Sequence, residues 1–297
     1  MISQDFFAGL EAAIAARREE VDAALERSSE LREGPVATAA RDALFAPAKR
    51  LRPVLTLLVG DVFQAPHAAL LGGACAVEMV HTASLILDDL PSMDAATKRR
   101  GRPACHIAHG EATAILAAFA LINRAFGLLA NGWPEAPDVT TRSGMAHELA
   151  QAIGLDGMIA GQAMDLAMTD RALDLKTLEY VHSRKTGALF MVSAVLGTLV
   201  SRVTTGERAA IAAYAKNLGL AFQIVDDLID ATGDAVASGK NVRQDERKTT
   251  FVSFAGAAGA RQLAAELIEA SQEALKSLGP NAKPLRELAR YVIVRKR

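Results

Sequence analysis

Two groups of aspartates carry the clearest capacity for chemistry in this sequence. Asp88-Asp89-Leu90-Pro91-Ser92-Met93-Asp94 follows the apolar run Ala83 to Leu87, and Asp226-Asp227-Leu228-Ile229-Asp230 follows Ala221 to Val225, 138 residues further on. On an α-helix at about 100° per residue, Asp226 and Asp230 point the same way. Asp88 and Asp94 would not share a face on an unbroken helix, so Pro91 and Ser92 must interrupt it and bring Asp94 back. Carboxylates held together repel, and at helix C-termini they also meet the negative end of the dipole. One such pair alone reads as a solvated helix end. Two of them favour a cation between the carboxylates. Oxygen ligands with no histidine or cysteine inside the clusters point to Mg²⁺, which keeps waters and bridges to phosphate oxygens, so a polyphosphate ligand is expected.

The basic residues suit that ligand. Lys98-Arg99-Arg100-Gly101-Arg102-Pro103 follows the first cluster, and Lys49-Arg50-Leu51-Arg52-Pro53 precedes it. Either run alone reads as a solvated face or a nucleic-acid patch, but a net charge of -1 and the lack of interleaved aromatics argue against nucleic acid. Arginine forks match phosphate oxygens two at a time. Arg184-Lys185-Thr186-Gly187 precedes an apolar helix, while Lys240 and Lys248 lie in a polar stretch; each lysine alone reads as a surface charge. A ferritin-like di-iron site is the competing metal reading, since Glu78/His81 and Glu179/His182 are both Glu-x-x-His pairs. It leaves the aspartates and the basic runs without a role.

The elements that must position these groups are helical. The chain has 297 residues, 51% hydrophobic with 5% aromatic, and shows no sustained apolar–polar alternation, so one all-α domain spanning 1–297 is expected. Breaks are expected at 32–35, 131–138, 204–207 and 232–250. The stretches Gly72 to Leu90 and Glu111 to Ala130 are apolar on nearly all sides, the pattern of helices surrounded by others. The apolar runs Ala112 to Ile122 and Gly187 to Val200 fall short of the roughly 20 residues of a membrane span. Residues 1–28 mix acidic with apolar residues and read as an amphipathic helix, not a signal peptide. Cys75 and Cys105 are expected as reduced thiols, and a cytoplasmic setting follows. The terminal Arg295-Lys296-Arg297 reads as a solvated tail.

Lys49 to Pro53, His81 to Asp94 with Arg99 to Pro103, Gly161-Gln162, Lys185-Thr186 and Phe222 to Asp230 together resemble the trans-isoprenyl diphosphate synthases, in order from about residue 40 to residue 255. Within them the chain looks most like the bacterial geranylgeranyl diphosphate synthases of carotenoid pathways. The resemblance implies the isoprenoid synthase fold, a large helical bundle around a central cavity, and a homodimer. It implies that Asp88, Asp89, Asp94, Asp226, Asp227 and Asp230 hold Mg²⁺, three ions in all, on an allylic diphosphate. Arg99, Lys185 and Lys240 would contact its leaving group, and Lys248 would be a substrate-binding residue. Lys49, Arg52, His81 and Arg100 would hold isopentenyl diphosphate, with Gln223 beside the metals and Thr186 and Gln162 near the reacting carbons. Two departures stand out: Ala46-Pro47-Ala48 replaces glycines that often precede the first basic run, and Ala95-Ala96 replaces acids that often follow Asp94.

The implied reaction ionises the allylic diphosphate, adds isopentenyl diphosphate to the cation and loses a proton, without a side-chain nucleophile. His81 and Ser84 lie seven and four positions before Asp88, on roughly its helical face. Family members stopping at C15 tend to carry an aromatic five positions before the first aspartate, where this chain has Ala83. With Pro91-Ser92 resembling short-chain members, a C20 product is expected, with C15 as the alternative. A non-catalytic partner subunit would show lost aspartates, and a terpene cyclase would lack Lys49, Arg52 and Arg100.

Overall fold

The computed structural model describes residues 7–28, 33–232 and 248–295. Its helices are α1 (Ala8–Ser28), α2 (Pro35–Leu44), α3 (Leu51–Val62), α4 (His67–Asp88), α5 (Cys105–His109), α6 (Glu111–Gly127), α7 (Val139–Ile153), α8 (Met158–Ala167), α9 (Leu175–Lys185), α10 (Gly187–Thr198), α11 (Thr205–Thr232), α12 (Phe251–Ala274) and α13 (Lys283–Val294). Strands β1 (Lys98–Arg99) and β2 (Arg102–Pro103) form a short antiparallel hairpin. Two expected breaks fall between α1 and α2 and between α6 and α7; the break before α11 lies at 199–204, just ahead of the expected 204–207, and the fourth lies mostly outside the described residues. Sequence reading missed the breaks at 168–174, a stretch with neither Gly nor Pro, and at Thr186.

Helix α10 is the centre of the bundle. It packs on α3, α4, α7, α9 and α11, and all its residues but Met191 are buried. It joins a core built from α1, α2, α4, α6 and α7 to a second built from α3, α11, α12 and α13. Close approach depends on Gly197, where a Cβ would stand 2.6 Å from Thr56 O; the Thr56 hydroxyl donates to Ser193 O at 2.8 Å. Two helical stretches, His67–Asp88 and Glu111–Gly132, reach the length and apolarity of a membrane span, longer than the apolar runs suggested. The first is largely enclosed by the protein, 78% of its most apolar window being buried, against 39% in the second. This corrects the expectation that both are surrounded by helices: α6 buries only its alanine-rich side and exposes Leu116 and Phe119.

Gly161 positions a later part of the site. A Cβ there would stand 2.2 Å from Lys185 N and 2.8 Å from Arg184 C, so α8 can lie against the end of α9 only because residue 161 has no side chain. These obstacles are backbone atoms and cannot swing aside. Gly161→Ala is therefore expected to destabilise by about 1–3 kcal/mol despite alanine's better helix propensity, measured by denaturant unfolding. Unchanged stability would show that the two backbones have room to separate.

A charged staple fixes α1 to the bundle. His67, the first residue of α4, lies with Nδ1 2.8 Å from Glu20 and Nε2 2.8 Å from Asp61, which also pairs with Arg17 at 3.0 Å. The hydrogen bond to Asp61 raises the His67 pKa above its ordinary 6.5 against the effect of burial. Burial would raise Asp61, but His67 and Arg17 outweigh it and hold the carboxyl below its ordinary 3.8. A raised histidine stabilises fully below its unfolded pKa and loses that contribution as pH climbs through the folded value; a depressed aspartate stabilises above its unfolded pKa and loses it on acidification. The staple is thus strongest between these two ordinary values. Thermal midpoints should show His67→Asn to be least stable relative to the parent near about pH 6, with the gap closing toward about pH 9. A gap independent of pH would mean that His67 acts only through packing.

Candidate active site

The first aspartate cluster forms where α4 runs out. Asp89 caps the helix, the chain turns through Pro91 and Ser92, and Asp94 N–H donates to Asp88 O at 2.9 Å. The expected interruption does return Asp94 to Asp88. Asp89 points elsewhere: it is buried, and Arg99 grips it with Nε at 2.9 and 3.1 Å from the two oxygens and a further contact from Nη2. The hairpin makes that grip possible. Arg100 and Gly101 both take positive φ, 52° and 76°, in a two-residue turn that holds Arg99 on β1 while Arg100 sits at the tip. Burial raises the pKa of both Asp88 and Asp89, countered by Lys185 and Arg99 respectively.

Asp165 on α8 was missed by sequence reasoning, yet it organises the cations. Lys185 Nζ lies 2.7 Å from Asp165 and 3.9 Å from Asp88, and Lys248 Nζ bridges Asp165 at 2.9 Å and Asp94 at 2.7 Å. Burial works to raise the Asp165 pKa, but Lys185 and Lys248 overcome it and the net shift is downward. Three aspartates and two lysines form one chain of ion pairs. Its signal in the sequence was the Gln162-x-x-Asp165 spacing, one helical turn beyond the Gly161-Gln162 pair.

The junction of α9 and α10 joins the two walls. Lys185 faces the first cluster, while Thr186 Oγ1 donates to Gln223 Oε1 at 2.7 Å on α11. Gln223 Nε2 donates to Asp227 Oδ1, and Phe251 N–H at the start of α12 donates to Asp227 Oδ2, each at 2.9 Å. The buried Asp227 carboxylate ties α11 to the N-terminus of α12, where the helix dipole welcomes it. Asp226 and Asp230, one turn apart, are the pair on a common face.

Asp226 is engaged by Arg295, whose Nη2 stands 2.7 Å from Asp226 Oδ1 and 2.9 Å from Phe222 O, with the guanidinium 3.7 Å above the Phe222 ring. Arg295 is thus no part of a solvated tail. A charged side chain that finds a carboxylate, a carbonyl and an aromatic face is held whatever its distance from the terminus. Lys296 and Arg297 lie outside the described residues, as does Lys240.

The residues assigned to isopentenyl diphosphate separate by role. Arg50, in a left-handed backbone conformation, is the structural one: buried, it meets Glu78 at 2.7 Å, Asp22 at 2.9 Å and Leu44 O at 2.6 Å. That leaves exposed Lys49 before it and Arg52 after it. Arg52 Nη1 lies 3.2 Å from His81 Nε2, and burial lowers the Arg52 pKa to about 10. Burial followed by the charge of Arg52 drives the His81 pKa well down, so its Nε2 accepts from the guanidinium. Arg100 stands 3.8 Å from Glu78.

Gln162 Nε2 donates to Met93 Sδ at 3.6 Å, and Ser84 Oγ donates to His81 O at 2.8 Å. Ala83 is fully buried in the core that α6 shares through Ala114, Ala117 and Ala118. It is packed against other side chains, because it lies about 140° around α4 from Asp88. The di-iron alternative fails here: Glu78 is committed to Arg50, and His182 packs on Phe251 with its pKa lowered by burial to about 4.

Comparison with known proteins agrees with this geometry. The polyprenyl synthetase family model matches residues 35–280. The chain is 39% identical over 288 residues to geranylgeranyl pyrophosphate synthase 3 of Arabidopsis thaliana, covering 94% of this chain and 79% of that one. It is 41% identical over 256 residues to farnesyl diphosphate synthase of Escherichia coli, covering 83% and 85%. The crystal structure of a geranyltransferase from Helicobacter pylori, complexed with magnesium and isoprenyl diphosphate, superposes with a TM-score of 0.82 at 29% identity, covering 94% of this chain and 96% of that one. With both aspartate clusters, the lysine pair and the bundle in place, this chain belongs to the polyprenyl synthetase family and has the all-α isoprenoid synthase fold.

Proposed function

We propose that this chain is a short-chain prenyltransferase that condenses isopentenyl diphosphate with allylic diphosphates and stops at C20. The observation that carries the reaction is the chain of ion pairs from Asp94 through Lys248, Asp165 and Lys185 to Asp88, a set of charges that a diphosphate and its cation can rearrange. Mg²⁺ fits the donors: Asp88 and Asp94, brought together by a closed loop, and Asp226 with Asp230 across the site offer oxygen only. When bound there, Mg²⁺ supplies positive charge to the departing diphosphate. The relative crystallised with magnesium and isoprenyl diphosphate supports this reading.

Lys185, Lys248 and Arg99 exchange carboxylate partners for diphosphate oxygens and so favour breaking of the allylic C–O bond. Thr186 has committed its hydroxyl proton to Gln223, so it offers lone-pair density to the cation that develops. Lys49, Arg52 and Arg100 orient the isopentenyl diphosphate, with His81 holding Arg52. Its double bond attacks the cation, a C–C bond forms, and a proton leaves to the released diphosphate.

The length limit is supported by the residue type at position 83: alanine stands, packed between α4 and α6, where the family members that stop at C15 tend to carry an aromatic. C15 is the competing reading, favoured by the Escherichia coli relative. Sizing products by mass spectrometry from C5, C10 and C15 primers should give C20 throughout, and Ala83→Tyr should shift the product to C15. A parent that stops at C15, or a folded Ala83→Tyr that still makes C20, would overturn the length assignment and leave the prenyl-transfer chemistry standing.

The functional unit is a homodimer on this reading, built on the exposed apolar strip of Ile107, Leu116 and Phe119 along α5 and α6. Phe119→Asp should convert a dimer into a monomer in light scattering. A monomeric parent, or a dimer indifferent to the charge, would remove α6 from the interface.

A further inference from the structure

A cavity of about 280 Å³ lies behind the first aspartate cluster, on the flank of α4 about a quarter-turn from Asp88. Thr82, Leu85, Ile86 and Asp89 of α4 face it, whereas His81, Ser84 and Asp88 belong to the reaction side. Ala39 and Ala43 of α2 close the opposite wall, and the hairpin from Arg99 to Pro103 forms the rim. The mechanism uses none of this space.

Its charges do not balance. Arg99 is matched by Asp89, and His109, also on the wall, lies 3.0 Å from Asp42. Arg100 reaches Glu78 only at 3.8 Å, and Arg50 already holds that carboxylate at 2.7 Å. Arg102 is exposed at the rim and has no carboxylate at ion-pair distance among the described residues. The Thr82 hydroxyl on the α4 wall, in a residue only 2% exposed, has no hydrogen-bond partner among the described residues. An apolar cleft with surplus arginine at its mouth matches a small amphipathic anion, with a short alkyl or prenyl chain inside and a phosphate-type head at the rim.

We propose that this cleft is a second ligand site for a short-chain alkyl or prenyl phosphate, and that its occupant opposes substrate binding by drawing Arg99 and Arg100 toward the rim. The two arginines are walls of the cleft on one side and diphosphate ligands on the other, so one anion is held at the expense of the other. This coupling rests on the prenyl-transfer reading. The binding does not.

Octyl phosphate is the probe, titrated calorimetrically into the metal-free full chain alongside inorganic phosphate. One octyl phosphate should bind per chain, at least about tenfold more tightly than inorganic phosphate because of its buried chain. Ala43→Phe, which fills the apolar wall, and Arg102→Ala, which removes an exposed arginine of β2 from the rim, should each weaken it several-fold and leave basal prenyl transfer unchanged. At saturation the probe should raise the KM for both substrates in the parent and have little effect in the variants. Absence of saturable binding would overturn the site. So would binding that both folded variants retain and that an allylic diphosphate analogue with Mg²⁺ displaces competitively, since the probe would then occupy the reaction centre. If the chain lacks prenyl transfer altogether, the calorimetric comparison still decides the site.

Discussion

Carboxylates gathered at the closed end of an apolar helix are the constraint from which the rest of this structure follows. Asp88 and Asp89 end a helix whose body is almost wholly buried, so they face a low-dielectric core behind them, the negative end of the dipole beneath them and one another alongside. Such a group is stable only where cations reach it. The hairpin turn at Arg100 and Gly101, the contact of α8 with α9 at Gly161, and the interruption of α9 and α10 at Thr186 each bring a cation or its support to that point. Features that look local are answers to one electrostatic problem.

Removing one partner from a buried ion pair typically costs about 3–5 kcal/mol, because a charge is left unpaired. The lysines therefore do not leave Asp165, Asp94 and Asp88 for water. They can leave for a diphosphate that arrives with cations of its own, since every carboxylate and every lysine is then matched again. On the proposed reading, substrate and metal together complete the charge balance that the lysines and aspartates hold between them beforehand.

The paired aspartate clusters, the basic runs and the helical character were legible because each rests on residues near in sequence. The return of Asp94 was legible for the same reason, since Pro91 is a local breaker. Asp165 was not read: the Gln162-x-x-Asp165 spacing on a short helix names no partner, and the role appears only when Lys185 and Lys248, 20 and 83 residues away, converge on it. Arg50 and Arg52 are indistinguishable as letters in one basic run; a left-handed backbone turns the first into the core and leaves the second facing His81. Periodicity also misjudged α6, because an apolar face that stays exposed reads the same in sequence as one that packs into the core.

Arginine and lysine divide the work by their chemistry. On each wall one aspartate is in the grip of an arginine, Asp89 with Arg99 and Asp226 with Arg295, and in each case the guanidinium is extensively buried and makes several directed contacts. A planar fork with fixed donors resists rotation, which suits it to setting where a wall stands. The lysines Lys185 and Lys248 are compact charges on flexible stems, shared among Asp88, Asp94 and Asp165. A shared, rotatable ammonium loses little when one oxygen replaces another. Arg99 must do both, because it holds Asp89 and also faces the substrate on the proposed reading. It is therefore the group through which any ligand on the far side of the hairpin would be felt at the reaction centre.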